Sequence, residues 1–222
     1  MQGLEKKVLD CTGILEGIYG LPVLEGRDPL DLLVITILSQ NTSDTNSERA
    51  FAALKEAYPD YGRLLLVPTE EVAGQIRLGG LSRIKAPRIK EALARVLERA
   101  GSMDLGFLGD MSLEEGREFL LSLPGVGPKT AAVVLLFGFG RPTMPVDTHV
   151  YRVASRLGLV PQKASIERAQ EVLERIVPPD KYLSMHLNLI KHGRAVCRAR
   201  SPLCSACGLE EICNFRHPGQ KD

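Results

Sequence analysis

The sequence predicts an all-α protein. Three observations carry this. Apolar residues recur at helical spacing through most of the chain, no segment alternates with period two for more than a few residues, and the connections are short and punctuated by glycine or proline. An N-terminal helix opens the chain. Asp28-Pro29 then reads as an N-cap followed by proline in a first turn. Leu30, Leu33, Val34, Ile37 and Leu38 follow an i, i+3, i+4, i+7, i+8 stripe. The β-branched residues there suit a strand, but cap and stripe together favour helix. Further helices are expected over 46–57, 69–77, 87–100, 112–121, 128–138, 147–157, 165–176 and 180–192, about ten in all. Turns fall at Tyr58-Pro59, Gly79-Gly80, Gly138 to Pro142 and Pro178-Pro179. Glycine and proline between 138 and 145 mark a lobe boundary. One domain is expected over 25–141, and a second lobe over 1–24 with 142–222.

The 222 residues are 44% hydrophobic and 25% charged, an ordinary balance for a water-soluble chain with a proper core. The start, MQGLEKKVLD, lacks the apolar core of a signal peptide. An apolar run such as LLVITIL at 32–38 is too short to span a bilayer. An intracellular protein is expected, in which clustered cysteines serve as metal ligands rather than disulfides. The net charge of +1 announces no polyanionic partner. Two local segments are more basic. KHGRAVCRAR holds Lys191, Arg194, Arg198 and Arg200 without an acid, and SRIKAPRIK holds Arg83, Lys85, Arg88 and Lys90 likewise. Such patches suit phosphate contacts, and equally suit a solvated face.

Four of the five cysteines, Cys197, Cys204, Cys207 and Cys213, lie in one short tail with the spacing C-x(6)-C-x(2)-C-x(5)-C. So short a tail buries little apolar surface, and a metal centre held by four thiolates would tie it together. Zinc and iron–sulfur both fit four thiolates, but a single C-x(2)-C pair is not the common zinc pattern. In LPGVGPKTA (123–131), Pro124, Gly125 and Gly127 make a tight turn between two helices, and Pro128 opens the second. N–H groups near such a helix start grip phosphate without reading sequence. Lys129 falls in the first turn, where the helix dipole disfavours a cation and favours the nucleophilic neutral amine. An exposed surface lysine is the plainer reading. Asp147 precedes THVYRVASRLGL and is an N-cap by spacing. A capping carboxylate stays ionised, so it can also offset developing positive charge or take a proton.

In order along the chain, LSQNTSD (38–44), GGL (79–81), LPGVGPKTA, VDTHVYRV (146–153), HGR (192–194) and the cysteine tail resemble the helix-hairpin-helix DNA glycosylase superfamily, in its endonuclease III-like branch. The resemblance implies a two-lobed α fold with a DNA-binding cleft between lobes and a C-terminal iron–sulfur loop over 190–215. It implies a base-excision enzyme that flips a damaged base from duplex DNA, removes it and cuts the strand as an abasic-site lyase. Lys129 matches the family's nucleophile and Asp147 its essential aspartate. Cys197, Cys204, Cys207 and Cys213 match the ligands of a [4Fe-4S] cluster. DNA contacts are implied for Gln40, Asn41, Leu81, Gly125, Val126, Gly127, Thr130, His149, His192 and Arg194. The implied partner is duplex DNA with a damaged or mismatched base or an abasic site. No membrane is implied, and the expected form is a monomer in a prokaryotic cytoplasm.

Two departures stand out. The family usually reads L-S-A-Q-A-T-D where this chain reads LSQNTSD, so Asn41 takes the glutamine position and Gln40 comes one earlier. Either amide fills the gap opposite the orphaned base, with Leu81 as the intercalating partner. Pro128 stands where arginine is common. Outside the motifs, Cys11 reads as a buried thiol, and His149 and His186 suit packing in a core or cleft. Tyr151 and Tyr182 suit a base pocket or helix packing equally. Two other functions remain open: a G·T or G·U mismatch glycosylase of the same fold, and a non-catalytic hairpin protein that only binds DNA.

Overall fold

The computed structural model describes residues 2–24 and 26–218. Among the described residues there are eleven α-helices and no strand. They are α1 (Gln2–Tyr19), α2 (Pro29–Leu38), α3 (Asp44–Ala57), α4 (Tyr61–Leu66), α5 (Thr69–Gln75), α6 (Ser82–Ala100), α7 (Leu113–Ser122), α8 (Pro128–Val133), α9 (Thr148–Leu157), α10 (Ile166–Ile176) and α11 (Tyr182–Ala195). The chain forms two compact units, Glu25–Arg141 and Met1–Leu24 with Pro142–Asp222.

In the Glu25–Arg141 unit, α2 is the central rod. Asp28 caps it by accepting from the N–H groups of Leu30 and Asp31, both at 3.0 Å. Every residue from Leu32 to Leu38 is buried, so the helix is apolar all round because it is enclosed all round. That enclosure is why its β-branched run is compatible with helix. Ser43 caps α3 by accepting from Asn46 N–H, so α3 starts two residues before the expected 46. The sequence reading missed α4, six residues capped by Asp60 and too short to display a period. It also began α6 at Pro87, whereas α6 starts at Ser82 with Pro87 inside it. An interior proline costs about 3 kcal/mol. Buried Ala86, Ile89, Leu93 and Val96 line one face of α6, and each large apolar side chain returns about 1.5–3 kcal/mol, so packing prevails. Ser112 and Glu115 form a capping box on α7. The expected helix over 128–138 is α8 followed by a wider, π-type segment at Val134–Gly138. There Gly138 lies against the start of α2, and a Cβ at that glycine would sit 3.2 Å from Pro29 Cβ.

In the other unit, α11 packs against α1 and α9. Glu16 on α1 accepts from Ser184 Oγ at 2.6 Å and pairs with Lys181 Nζ at 3.1 Å. Asn188 donates to the carbonyl of Gly20 at 3.1 Å. Ser165 caps α10, and Gly158, with φ 81°, ends α9 in the left-handed region. Tyr182 is buried and donates to the Glu174 carbonyl, and Tyr151 donates to the carbonyl of Ala164 at 2.8 Å, so both tyrosines act as packing residues.

Candidate catalytic hairpin, capped aspartate and cysteine pocket

The turn between α7 and α8 closes with Val126 N–H donating to Leu123 O at 3.1 Å. Gly125 needs its freedom, because its φ is 77° and a Cβ there would lie 2.9 Å from Arg88 Cδ. Gly127 does not, since it has φ −101° and open space beside it. It serves as the N-cap of α8, with Pro128 in the first turn. Lys129 follows, half-buried. Val126 and Thr130 are buried, so contacts from these two would come from the backbone and not from their side chains.

The same unit holds the two loops expected to enter DNA. Gln40 Nε2 donates to the carbonyl of Gly125 at 2.7 Å, so this amide is engaged with the hairpin. Asn41 is exposed and left-handed, with φ 53°. Leu81 is also left-handed, with φ 51°, and its side chain is 49% exposed. The basic run 82–90 is not one patch. Arg83 and Arg88 are exposed, but Lys90 is half-buried and donates to the Val67 carbonyl. Lys85 is only 1% exposed and donates to the carbonyls of Leu38 and Gly79. Burial pulls its pKa down. A phosphate contact from Lys85 is therefore ruled out, because its amine is consumed inside the fold.

In the other unit, Asp147 caps α9, with Oδ1 accepting from Val150 N–H at 2.7 Å. The carboxylate is half-buried. His149, two residues on, takes a hydrogen bond on Nδ1 from Arg152 Nη2 at 3.0 Å. Arg152 also donates to the carbonyls of Gly193 and Cys197, at 2.8 and 3.0 Å. Arginine always donates, so the His149 lone pair faces it and the neutral ring carries its proton on Nε2. His186 is buried, 2.8 Å from the carbonyl of Pro145, in keeping with a packing role.

His192 corrects the sequence reading. Expected at the DNA backbone, it is 1% exposed and lies between Tyr19 and the cysteine tail. Its Nδ1 is 3.1 Å from Tyr19 Oη and its Nε2 is 3.4 Å from Cys207 Sγ. Burial lowers its pKa. The tautomer protonated on Nε2 accepts from Tyr19 and donates to the sulfur. Lys191, Arg194, Arg198 and Arg200 remain on the exterior of this segment.

The four tail cysteines line one pocket together with Arg156, Leu203 and Phe215. All four are half-buried and unbridged. Arg156 Nη1 donates to Cys197 Sγ at 3.3 Å and to the Arg198 carbonyl at 2.7 Å. Burial, with Cys213, Cys197 and Cys204 nearby, pushes the Cys207 thiol up. Cys11 on α1 is fully buried, and burial pushes it up to about 12, as expected for an inert thiol. Among the described residues no three His, Cys, Asp or Glu side chains close around a single ion. Tyr19, Arg152 and Arg156 are not legible as partners of the tail from sequence, since nothing in their spacing links them to it.

Residues 34–179 match the HhH-GPD superfamily base excision DNA repair protein family. The endonuclease III of Thermotoga maritima is 39% identical over 188 residues, covering 85% of this chain and 84% of that protein. Among solved structures, a trapped endonuclease III–DNA covalent intermediate with an estranged adenine superposes with a TM-score of 0.82 at 30% identity, covering 98% of this chain and 99% of that one. A thermostable thymine-DNA glycosylase superposes at 0.77 with 26% identity, covering 96% and 98%. Motif order, helical architecture and these likenesses agree, and the chain belongs to the HhH-GPD superfamily of base excision DNA repair proteins.

Proposed function

We propose that this protein is a bifunctional DNA glycosylase and abasic-site lyase that removes damaged pyrimidines from duplex DNA. One observation carries the reading: a half-buried lysine in the first turn behind the left-handed Gly125, in a chain that also holds Asp147 with one carboxylate oxygen committed to its cap. The base is turned out of the stack, and its bond to the anomeric carbon breaks with the electron pair leaving on the base. Asp147 offsets the positive charge that develops on the sugar. The neutral amine of Lys129 attacks the same carbon, one of its protons passes to the ring oxygen as the ring carbon–oxygen bond breaks, and a protonated Schiff base results. Removal of the adjacent carbon's proton then expels the 3′ phosphate, and water releases the lysine. Asn41 and Leu81 fill the space the base leaves, because Gln40 is held by the hairpin while Asn41 is exposed. Contacts from Gly125, Gly127, Thr130, His149 and Arg194 secure the backbone.

Cys197, Cys204, Cys207 and Cys213 would hold a [4Fe-4S] cluster. The donor set fits: four thiols share one pocket, and N–H groups of Arg156 and His192 approach two of the sulfurs. When bound, the cluster ties the tail and fixes the exposed arginines beside it. The protein acts as a monomer on duplex DNA.

An incision panel tests the reading on duplexes carrying thymine glycol, dihydrouracil, an abasic site, uracil opposite guanine and a G·T pair. Strand cleavage of the oxidised pyrimidines and the abasic site is expected, and Lys129→Gln should abolish it. Equal cleavage by Lys129→Gln would refute the nucleophile. Preference for G·T and G·U would move the substrate to mismatched pyrimidines, the reading favoured by the displaced amide at Asn41.

A further inference from the structure

Lys85 has no part in the chemistry above, yet it is among the most enclosed side chains of the Glu25–Arg141 unit. Its Nζ donates to Leu38 O at 2.7 Å and Gly79 O at 2.8 Å. Leu38 ends α2, so its carbonyl is one of the acceptors a helix leaves open at its C-terminus. A cationic or strongly polar donor is favoured there by the helix dipole. Gly79 closes the 3-10 turn Arg77–Gly79 that leads to Leu81. The two partners are therefore the roots of two loops, one carrying Asn41 and the other Leu81.

Both tips are strained. Asn41 and Leu81 are non-glycine residues in the left-handed region, with φ of 53° and 51°. Such residues persist only where the surroundings over-determine them. The bases of the loops are also in close approach, since a Cβ on Gly79 would lie 3.1 Å from Ala50 Cβ and 3.9 Å from Leu38 O. A lysine amine retains two N–H donors even when neutral, one for each carbonyl. A hydrophobic residue at 85 would leave both carbonyls unsatisfied in the interior.

We propose that Lys85 is a positioning residue that sets the spacing of Asn41 and Leu81, so that the two loops enter the duplex as one rigid wedge. This rests on the reading that those side chains occupy the space of the extruded base. The proposal separates two parts of the reaction. Base extrusion from duplex DNA needs the wedge. Schiff-base chemistry at an abasic site in single-stranded DNA needs Lys129 but no wedge.

The test uses the full chain with Lys85→Met and Lys85→Arg, beside wild type and Lys129→Gln. Substrates are a thymine glycol duplex, a single-stranded oligonucleotide with an abasic site, and a duplex with 2-aminopurine beside the lesion. Lys85→Met is expected to slow excision from the duplex about 100-fold and to suppress the 2-aminopurine rise, while single-strand cleavage changes by less than about threefold. Lys85→Arg should recover part of the duplex activity. Equal losses on both substrates, or undiminished duplex excision, would overturn the proposal. If Lys85→Met does not fold, a double-mutant cycle between Asn41→Ala and Leu81→Ala decides it: one wedge gives non-additive losses, and additive losses would overturn it. Cleavage by Lys129→Gln equal to wild type would remove the catalytic reading and the wedge proposal with it.

Discussion

Asp147 commits one carboxylate oxygen, Oδ1, to the start of α9, and the proposed mechanism uses the charge of the group. This separates two substitutions. Asparagine caps a helix as well as aspartate does, so Asp147→Asn should leave stability within about 0.5 kcal/mol while base removal falls about 100-fold or more. Asp147→Ala should lose the same activity and also about 1 kcal/mol of stability. Thermal melts beside single-turnover excision check both; a large stability loss in the asparagine variant would contradict the dual role. Caps such as Asp28 and Asp147 were legible in the sequence because a cap is a local event, decided within four residues. Lys85 and His192 were misjudged because enclosure is set by distant partners. A signal for Lys85 did exist: it extends the buried stripe of Ile89, Ala92, Leu93 and Val96 by one helical turn, away from Arg83 and Arg88. His192 likewise extends the buried face of Met185 and Leu189 on α11, but its partners Tyr19 and Cys207 come from other parts of the chain.

Helices report their own presence better than their ends. The stripe on α2 and the proline openings of α2 and α8 were readable, whereas the proline inside α6 was mistaken for a start because its compensating packing is tertiary. The turn of the hairpin makes a sharp prediction. Gly125→Ala forces a left-handed alanine against Arg88, and should cost about 1–2 kcal/mol in urea denaturation; Gly127→Ala, with ordinary φ and open space, should cost less than about 1 kcal/mol. Equal effects would contradict the geometry. The α1–α11 contact predicts a pH dependence. Burial opposes ionisation of Glu16, but hydrogen bonds from Ser184 and Lys181 and the Lys181 charge hold its carboxyl below the ordinary 4.5. A depressed carboxylate gives stability that is complete above 4.5 and lost as pH falls through the lowered value. Glu16→Gln should therefore be less stable by about 1–2 kcal/mol at neutral pH and should lose less on acidification. Parallel stability–pH curves for the two proteins would refute this.

On the scale of the whole molecule, the chain is two units, each with its own chemistry-bearing residues. The loops of the proposed wedge and Lys129 sit in Glu25–Arg141, and Asp147 and the four cysteines sit in the other unit. The all-helical class was legible from periodicity alone, because long amphipathic stripes dominate both units. The cysteine tail stood out by its spacing, but Arg156 and His192, whose side chains reach Cys197 and Cys207, emerged only with the fold. Purified protein should contain about four irons per chain with broad visible absorption, and Cys207→Ala should lose both. Stoichiometric zinc in a colourless protein would contradict the cluster. The central claim is that the Lys129 amine becomes covalently joined to the sugar. The most direct measurement is borohydride trapping on an abasic duplex, followed by proteolysis and mass spectrometry of the adduct. The account predicts a deoxyribose remnant on the peptide carrying Lys129; an adduct on any other amine, or none from a protein that cleaves the strand, would contradict it.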